Sequence, residues 1–137
     1  MKLKDKVAII TGAGRNIGKE IARVFAQEGA KIAVVEAHQG RGEAVVRELR
    51  QAGHAALLSH CDISKSAEVQ RMVGEVVEQF GRIDVLVNNA AITDHKNILE
   101  IGEEEFDQVI AVTLKGPFLV SQRVARQMVK QGGGGKI

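Results

Sequence analysis

The chain has no tyrosine and only one cysteine among its 137 residues. The first absence removes the phenol, so acid–base chemistry resting on a tyrosine cannot come from this sequence by itself. The second excludes an intrachain disulfide, and Cys61, at the end of an apolar run, reads as a buried, inert thiol in a reducing cytosol. Long apolar runs are missing too. The N-terminus from Met1 to Lys6 alternates charged and apolar residues and leads into only four consecutive apolar ones. That is too few for a signal peptide or a membrane span, and the expectation is a cytoplasmic protein. Nor is there a marked charge excess. Lys and Arg number 19 against 17 Asp and Glu, which argues against nucleic acid or an anionic membrane as partner. His38, His54, His60 and His95 share no metal-ligand spacing with one another or with Cys61.

What is present is an ordinary globular composition, 45% apolar and 26% charged, suited to one domain over residues 1–137. Four short apolar runs stand out: Val7 to Ile10, Ile32 to Val35, Ala55 to Leu58, and Ile83 to Val87 with Asp84 inside it. They do not alternate with polar residues, which is the pattern of strands covered on both faces. Segments of helical period lie between them. Ile17, Ile21, Val24 and Phe25 form one stripe, followed by Gly29; Val45, Leu49 and Ala52 form a second, followed by Gly53. A third runs Val69, Met72, Val73, Val76, Val77, Phe80, with Ser64 or Ser66 as N-cap and Gly81 as stop. All three are expected to be packing surfaces. Alternation of strand and helix predicts a parallel sheet with helices on both faces. Beyond the fourth run a longer helix begins near Glu103, its acidic first turn suiting the helix dipole and Phe106, Val109 and Ile110 marking its apolar face. Gly116 and Pro117 should kink or break it before it resumes through Lys130. The sequence stops where a fifth strand would start, so the fourth is expected to keep an unpaired edge that favours oligomers or aggregates.

The first strand leads directly into Thr11, Gly12, Ala13, Gly14, Arg15, Asn16, Ile17, Gly18, and a helix opens inside that string. Strand, glycine turn and helix start are the order a phosphate cradle requires, because glycines allow close approach and the free amides of the new helix attract anionic charge. Ile17 stands where the common dinucleotide fingerprint has its third glycine. Three other features fall at strand ends: Glu36 after the second, placed to accept hydrogen bonds from ribose hydroxyls; Asp62 and Ile63 after the third; Asn88, Asn89, Ala90 and Ala91 after the fourth.

Together these residues resemble the N-terminal half of a short-chain dehydrogenase/reductase. Thr11, Gly12 and Gly18 match the family's T-G-x-x-x-G-x-G loop, with Asn16 at its middle glycine. Asp62 and Ile63 are similar to its adenine-bordering pair, and Asn88 to Ala91 to its N-N-A-G signature with the glycine replaced. The resemblance implies a Rossmann-type doubly wound α/β fold, truncated after the fourth strand, with strand order 3-2-1-4. It implies NAD, with NADP less favoured, bound by Gly12, Gly14, Arg15, Asn16, Ile17, Gly18, Glu36, Asp62, Ile63, Asn88, Asn89 and Ala90. In the family, hydride passes between nicotinamide and an alcohol or carbonyl, aided by a serine and a Y-x-x-x-K pair. No catalytic residue of that set is present, and Thr113 occupies the position of the family's relay asparagine within Val112 to Gly116. An oxidoreductase half, inactive alone and assembled as a homo-oligomer, is therefore one expectation; a noncatalytic dinucleotide-binding module or a truncated gene product is the alternative.

Overall fold

A computed structural model describes all residues from Met1 to Ile137. Four parallel strands form one sheet: β1 (Val7–Thr11), β2 (Lys31–Glu36), β3 (Ala56–His60) and β4 (Val85–Val87), in the order β3-β2-β1-β4. Val7 pairs with Lys31, Ile32 with Ala56, and Ala8 with Val85. The helices between them are α1 (Asn16–Gln27), α2 (Gln39–Gln51) and α3 (Ser66–Phe80). Helix α4 (Glu103–Ile110) follows β4 and passes through a wide turn at Ala111–Lys115 into α5 (Gly116–Gln131).

The uninterrupted apolar strands follow from a sheet covered on both faces. In β1, Val7 and Ile9 face one layer, where Val69, Met72 and Val76 of α3 and Val120, Val124 and Met128 of α5 are buried. Ala8 and Ile10 face the other, with Ala22 and Ala26 of α1 and Val45, Val46 and Leu49 of α2. The stripes on α2 and α3 therefore pack as expected, except that Ala52 is exposed. The stripe on α1 needs correction. Its buried line is Gly18, Ala22, Ala26, while Ile17 and Val24 are exposed and Ile21 and Phe25 only half-buried. Small residues let α1 lie close against the sheet, and that close approach rotates the larger ones outward. The N-cap of α3 is Lys65, without a side-chain cap, and neither expected serine fills that place.

Two further expectations change. Strand β4 is three residues long, because Asp84 is a buried carboxylate that accepts from the Val7 amide at 2.9 Å instead of continuing the apolar run. Its outer edge is partly covered: Val85 bridges Lys136, the Leu86 amide donates to the Lys136 carbonyl at 2.9 Å, and the Lys136 amide to the Asp84 carbonyl at 3.0 Å. Gly116 and Pro117 do not break the helix. The Gly116 amide donates five residues back, to the Ala111 carbonyl, and this wider turn carries the chain into α5 with Pro117 in the first turn, where a missing N–H is tolerated. Gly116 is buried against Ile63, and an added Cβ would lie 2.6 Å from the Ile63 Cδ1.

Candidate functional site

The site lies at the C-terminal ends of the strands, where β1 hands over to α1. Gly12 turns with φ of +65° and its missing side chain leaves room for Ala90, whose Cα would be 2.9 Å from a Cβ there. Gly18 is tighter: a Cβ would meet the Gly12 carbonyl oxygen at 2.3 Å. Asn16 adopts φ of +48°, a conformation that asparagine tolerates better than most residues with a side chain. The backbone amides of Arg15, Asn16, Ile17 and Gly18 donate to no group of the chain. Four open donors at a helix N-terminus, in a loop whose tight turn depends on Gly12 and Gly18, fit a pyrophosphate.

The end of β4 holds this loop in place. The Thr11 hydroxyl accepts from the Asn89 and Ala90 amides at 3.1 and 3.0 Å, and the Asn89 side-chain amide donates to the Thr11 and Gly12 carbonyls at 3.0 and 3.2 Å. On the β2 side, Glu36 Oε2 accepts from the Gly14 amide at 2.8 Å and Oε1 from the His38 amide at 3.1 Å. These contacts border a cavity of about 530 Å³.

Every expected binding residue lines that cavity except Gly14 and Asn88. Gly14 contributes its amide to Glu36, and Asn88 turns outward, its side-chain amide donating to the Ser121 hydroxyl at 2.9 Å. Beyond these, the cavity is lined by Val35, Ala37, His38 and Arg41 around Glu36, by Cys61, by Ala91 and Ile92 after β4, and by Gln108 of α4 and Val112 of the wide turn, none of which the sequence singles out as binding residues. The available signal for His38 and Arg41 was their place at the opening of α2, where the His38 ring nitrogen accepts from the Arg41 amide at 3.3 Å. Thr113 is not in the cavity wall. Its hydroxyl donates to the Ile92 carbonyl at 2.9 Å and accepts from the Ile92 amide at 3.2 Å, tethering the loop after β4 to the wide turn.

Charge in the cavity is set by local partners. Burial pushes the Asp62 carboxyl up, but the Ser64 hydroxyl and amide and the Lys65 ammonium outweigh it and hold Asp62 below the usual carboxylate range. Burial, reinforced by Glu68, pushes the Cys61 thiol up to about 12, so it stays protonated and unreactive at neutral pH. Arg15 and Arg41 line the cavity and neither pairs with Glu36.

The sheet order and the loop define a Rossmann-type α/β protein. Its sequence matches the short chain dehydrogenase family model over residues 6–137, and the chain belongs to that family. An uncharacterized oxidoreductase of Thermotoga maritima is 46% identical over 98% of this chain and 53% of its own length. A 3-oxoacyl-acyl-carrier-protein reductase of Staphylococcus epidermidis is 42% identical over 97% of this chain and 55% of its own. The crystal structure of a short-chain type dehydrogenase/reductase from Mycobacterium marinum superposes with a TM-score of 0.94 at 36% identity, covering 98% of this chain and 54% of that one. The chain thus spans about half the length of the relatives it matches. Family membership implies a nicotinamide dinucleotide as cofactor.

Proposed function

We propose that this chain is the dinucleotide-binding half of an oxidoreductase that moves hydride between a nicotinamide cofactor and an alcohol or carbonyl. The observation that carries the reading is the row of free amides from Arg15 to Gly18, opening onto the same cavity as Glu36 and Asp62. In this reading the amides hold the pyrophosphate, Glu36 takes the adenosine ribose, Asp62 and Ile63 border the adenine, and Asn89 and Ala90 fix the loop. The bound dinucleotide supplies the hydride acceptor or donor. The family's proton transfer uses a tyrosine, and this chain has none, so binding without turnover is the outcome expected of these 137 residues alone.

NAD is the preferred form. A 2′-phosphate would lose the ribose hydroxyl that Glu36 accepts from and would face its carboxylate; like charges about 4 Å apart at an effective dielectric of 20 repel by roughly 4 kcal/mol. Arg15 and Arg41 oppose this from flexible stems that water screens. The net preference is about tenfold. Calorimetric titration of NAD and NADP tests both parts: no binding of either overturns the reading, and tighter NADP binding overturns the preference. Turnover of any alcohol by the purified chain would contradict the expected inactivity.

Self-association belongs to the same proposal. Phe106, Ile110, Leu114 and Phe118 recur every four residues along α4, the wide turn and α5, and all four are exposed, at 54%, 39%, 66% and 59%. The partner proposed for them is a second copy of the chain.

A further inference from the structure

The family's glycine pattern leaves position 14 free to vary, yet this chain has a glycine there with no positive φ. Its φ lies outside the left-handed region, so a need for positive φ does not explain the residue. The surroundings do. A Cβ built on Gly14 would lie 2.5 Å from Glu36 Oε2, 2.7 Å from Cδ and 2.8 Å from Cγ, closer than real Cβ contacts come. All three nearest atoms belong to one side chain.

We propose that Gly14 is a positioning residue that sets the choice between NAD and NADP by letting Glu36 dock against the loop; this rests on the dinucleotide reading above. The bare Cα at position 14 admits the carboxylate, and the Gly14 and His38 amides then hold one oxygen each. Each oxygen keeps a lone pair for a ribose hydroxyl. A carboxylate fixed in this way loses little rotamer freedom when a ligand arrives. It also cannot swing aside to relieve the repulsion of a 2′-phosphate. A side chain at position 14 would push Glu36 off its amides toward solvent and leave Arg15 and Arg41, which line the same cavity, to dominate. NADP would gain relative to NAD without any change to a residue that touches the 2′-position.

The test is calorimetric titration of NAD and NADP into the full chain as wild type, Gly14→Ala, Glu36→Ala and the double variant, with thermal melts of all four. The NAD-to-NADP affinity ratio is about tenfold in the wild type and falls in Gly14→Ala to within about threefold of the Glu36→Ala value. The double variant matches Glu36→Ala in both ratio and melting temperature, because the Glu36 atoms that a methyl group at position 14 would strike are gone. A Gly14→Ala chain that binds both dinucleotides more weakly but keeps the wild-type ratio overturns the role of Gly14 and leaves the dinucleotide reading intact. If Gly14→Ala alone does not fold, a folded double variant upholds the contact and an unfolded one refutes it. A wild type that binds neither dinucleotide sinks the functional reading, and the selection role with it.

Discussion

The side-chain amide of Asn89 bridges the carbonyl oxygens of Thr11 and Gly12, so the end of β4 fixes the turn that opens α1. An amide has two donors to give two carbonyls, and no other short side chain offers that pair. Asn89→Ala removes both bonds from a half-buried site and should cost about 1–2 kcal/mol of stability. Dinucleotide affinity should fall at least about fivefold, since the cradle loses its preorganisation. Asn89→Asp should be worse than alanine on both counts, because it sets a carboxylate against two carbonyl oxygens. Thermal melts and calorimetry on the two variants check the order; equal behaviour of Asp and Asn at this position would refute it.

Asp84 links stability to pH. Burial raises its carboxyl, but the Val7 amide and the Arg82 and Lys6 cations more than offset that and hold it below its ordinary value. A carboxyl depressed in the folded chain contributes its full stability above the unfolded value of about 4 and loses it as pH falls through the lower folded value. Asp84→Asn should therefore cost about 1–3 kcal/mol at neutral pH. The gap from the wild type should close in acid, below about pH 4. Urea melts from pH 7 down to pH 3 give the curve, and a constant gap across that range would exclude the linkage.

The proposed self-association through α4 and α5 is tested most directly at Phe118, which is exposed and contributes nothing to either core. Phe118→Glu should shift the chain from oligomer toward monomer in light scattering while leaving its melting curve within about 0.5 kcal/mol of wild type. A monodisperse wild-type monomer across a wide concentration range would rule the contact out.

How much of this was legible from residues alone divides along a physical line. The strands were, because a two-sided sheet writes itself as short unbroken apolar runs, and β1 and β2 fall within a residue of Val7 to Ile10 and Ile32 to Val35. The placement of Gly12, Gly18, Glu36 and Asn89 around the cavity was legible too, since each sits next to a strand end. Asp84 misled the reading because its value lies in a partner 77 residues away, the Val7 amide. Helix α1 misled it because Gly18, Ala22 and Ala26 are buried for their small size, and hydrophobic period weighs size the other way. His38 and Arg41 reach the cavity through the path the chain takes from β2 into α2; their place at the opening of α2 was a local signal, but it does not fix the direction of that path.

The sequence marks Gly116 as a helix breaker, but its contact with Ile63 gives it a packing role instead. An added Cβ would lie 2.6 Å from the Ile63 Cδ1 and 2.7 Å from its Cγ1, while the next atom, the Ala111 carbonyl oxygen, is at an ordinary 3.5 Å. The residue is thus glycine for packing, and its φ of −55° is helical. Ile63 is itself buried in the core beneath α5, which limits how far it can yield. Gly116→Ala should cost about 1–3 kcal/mol, the usual range for overpacking, even though alanine is the better helix former by about 1 kcal/mol. In an Ile63→Ala background the obstructing atoms are absent, and the same substitution should become neutral or stabilising. Thermal melts of the two single variants and the double close the cycle. If Gly116→Ala costs the same with and without Ile63, the glycine is held by the geometry of the wide turn and the packing account is wrong.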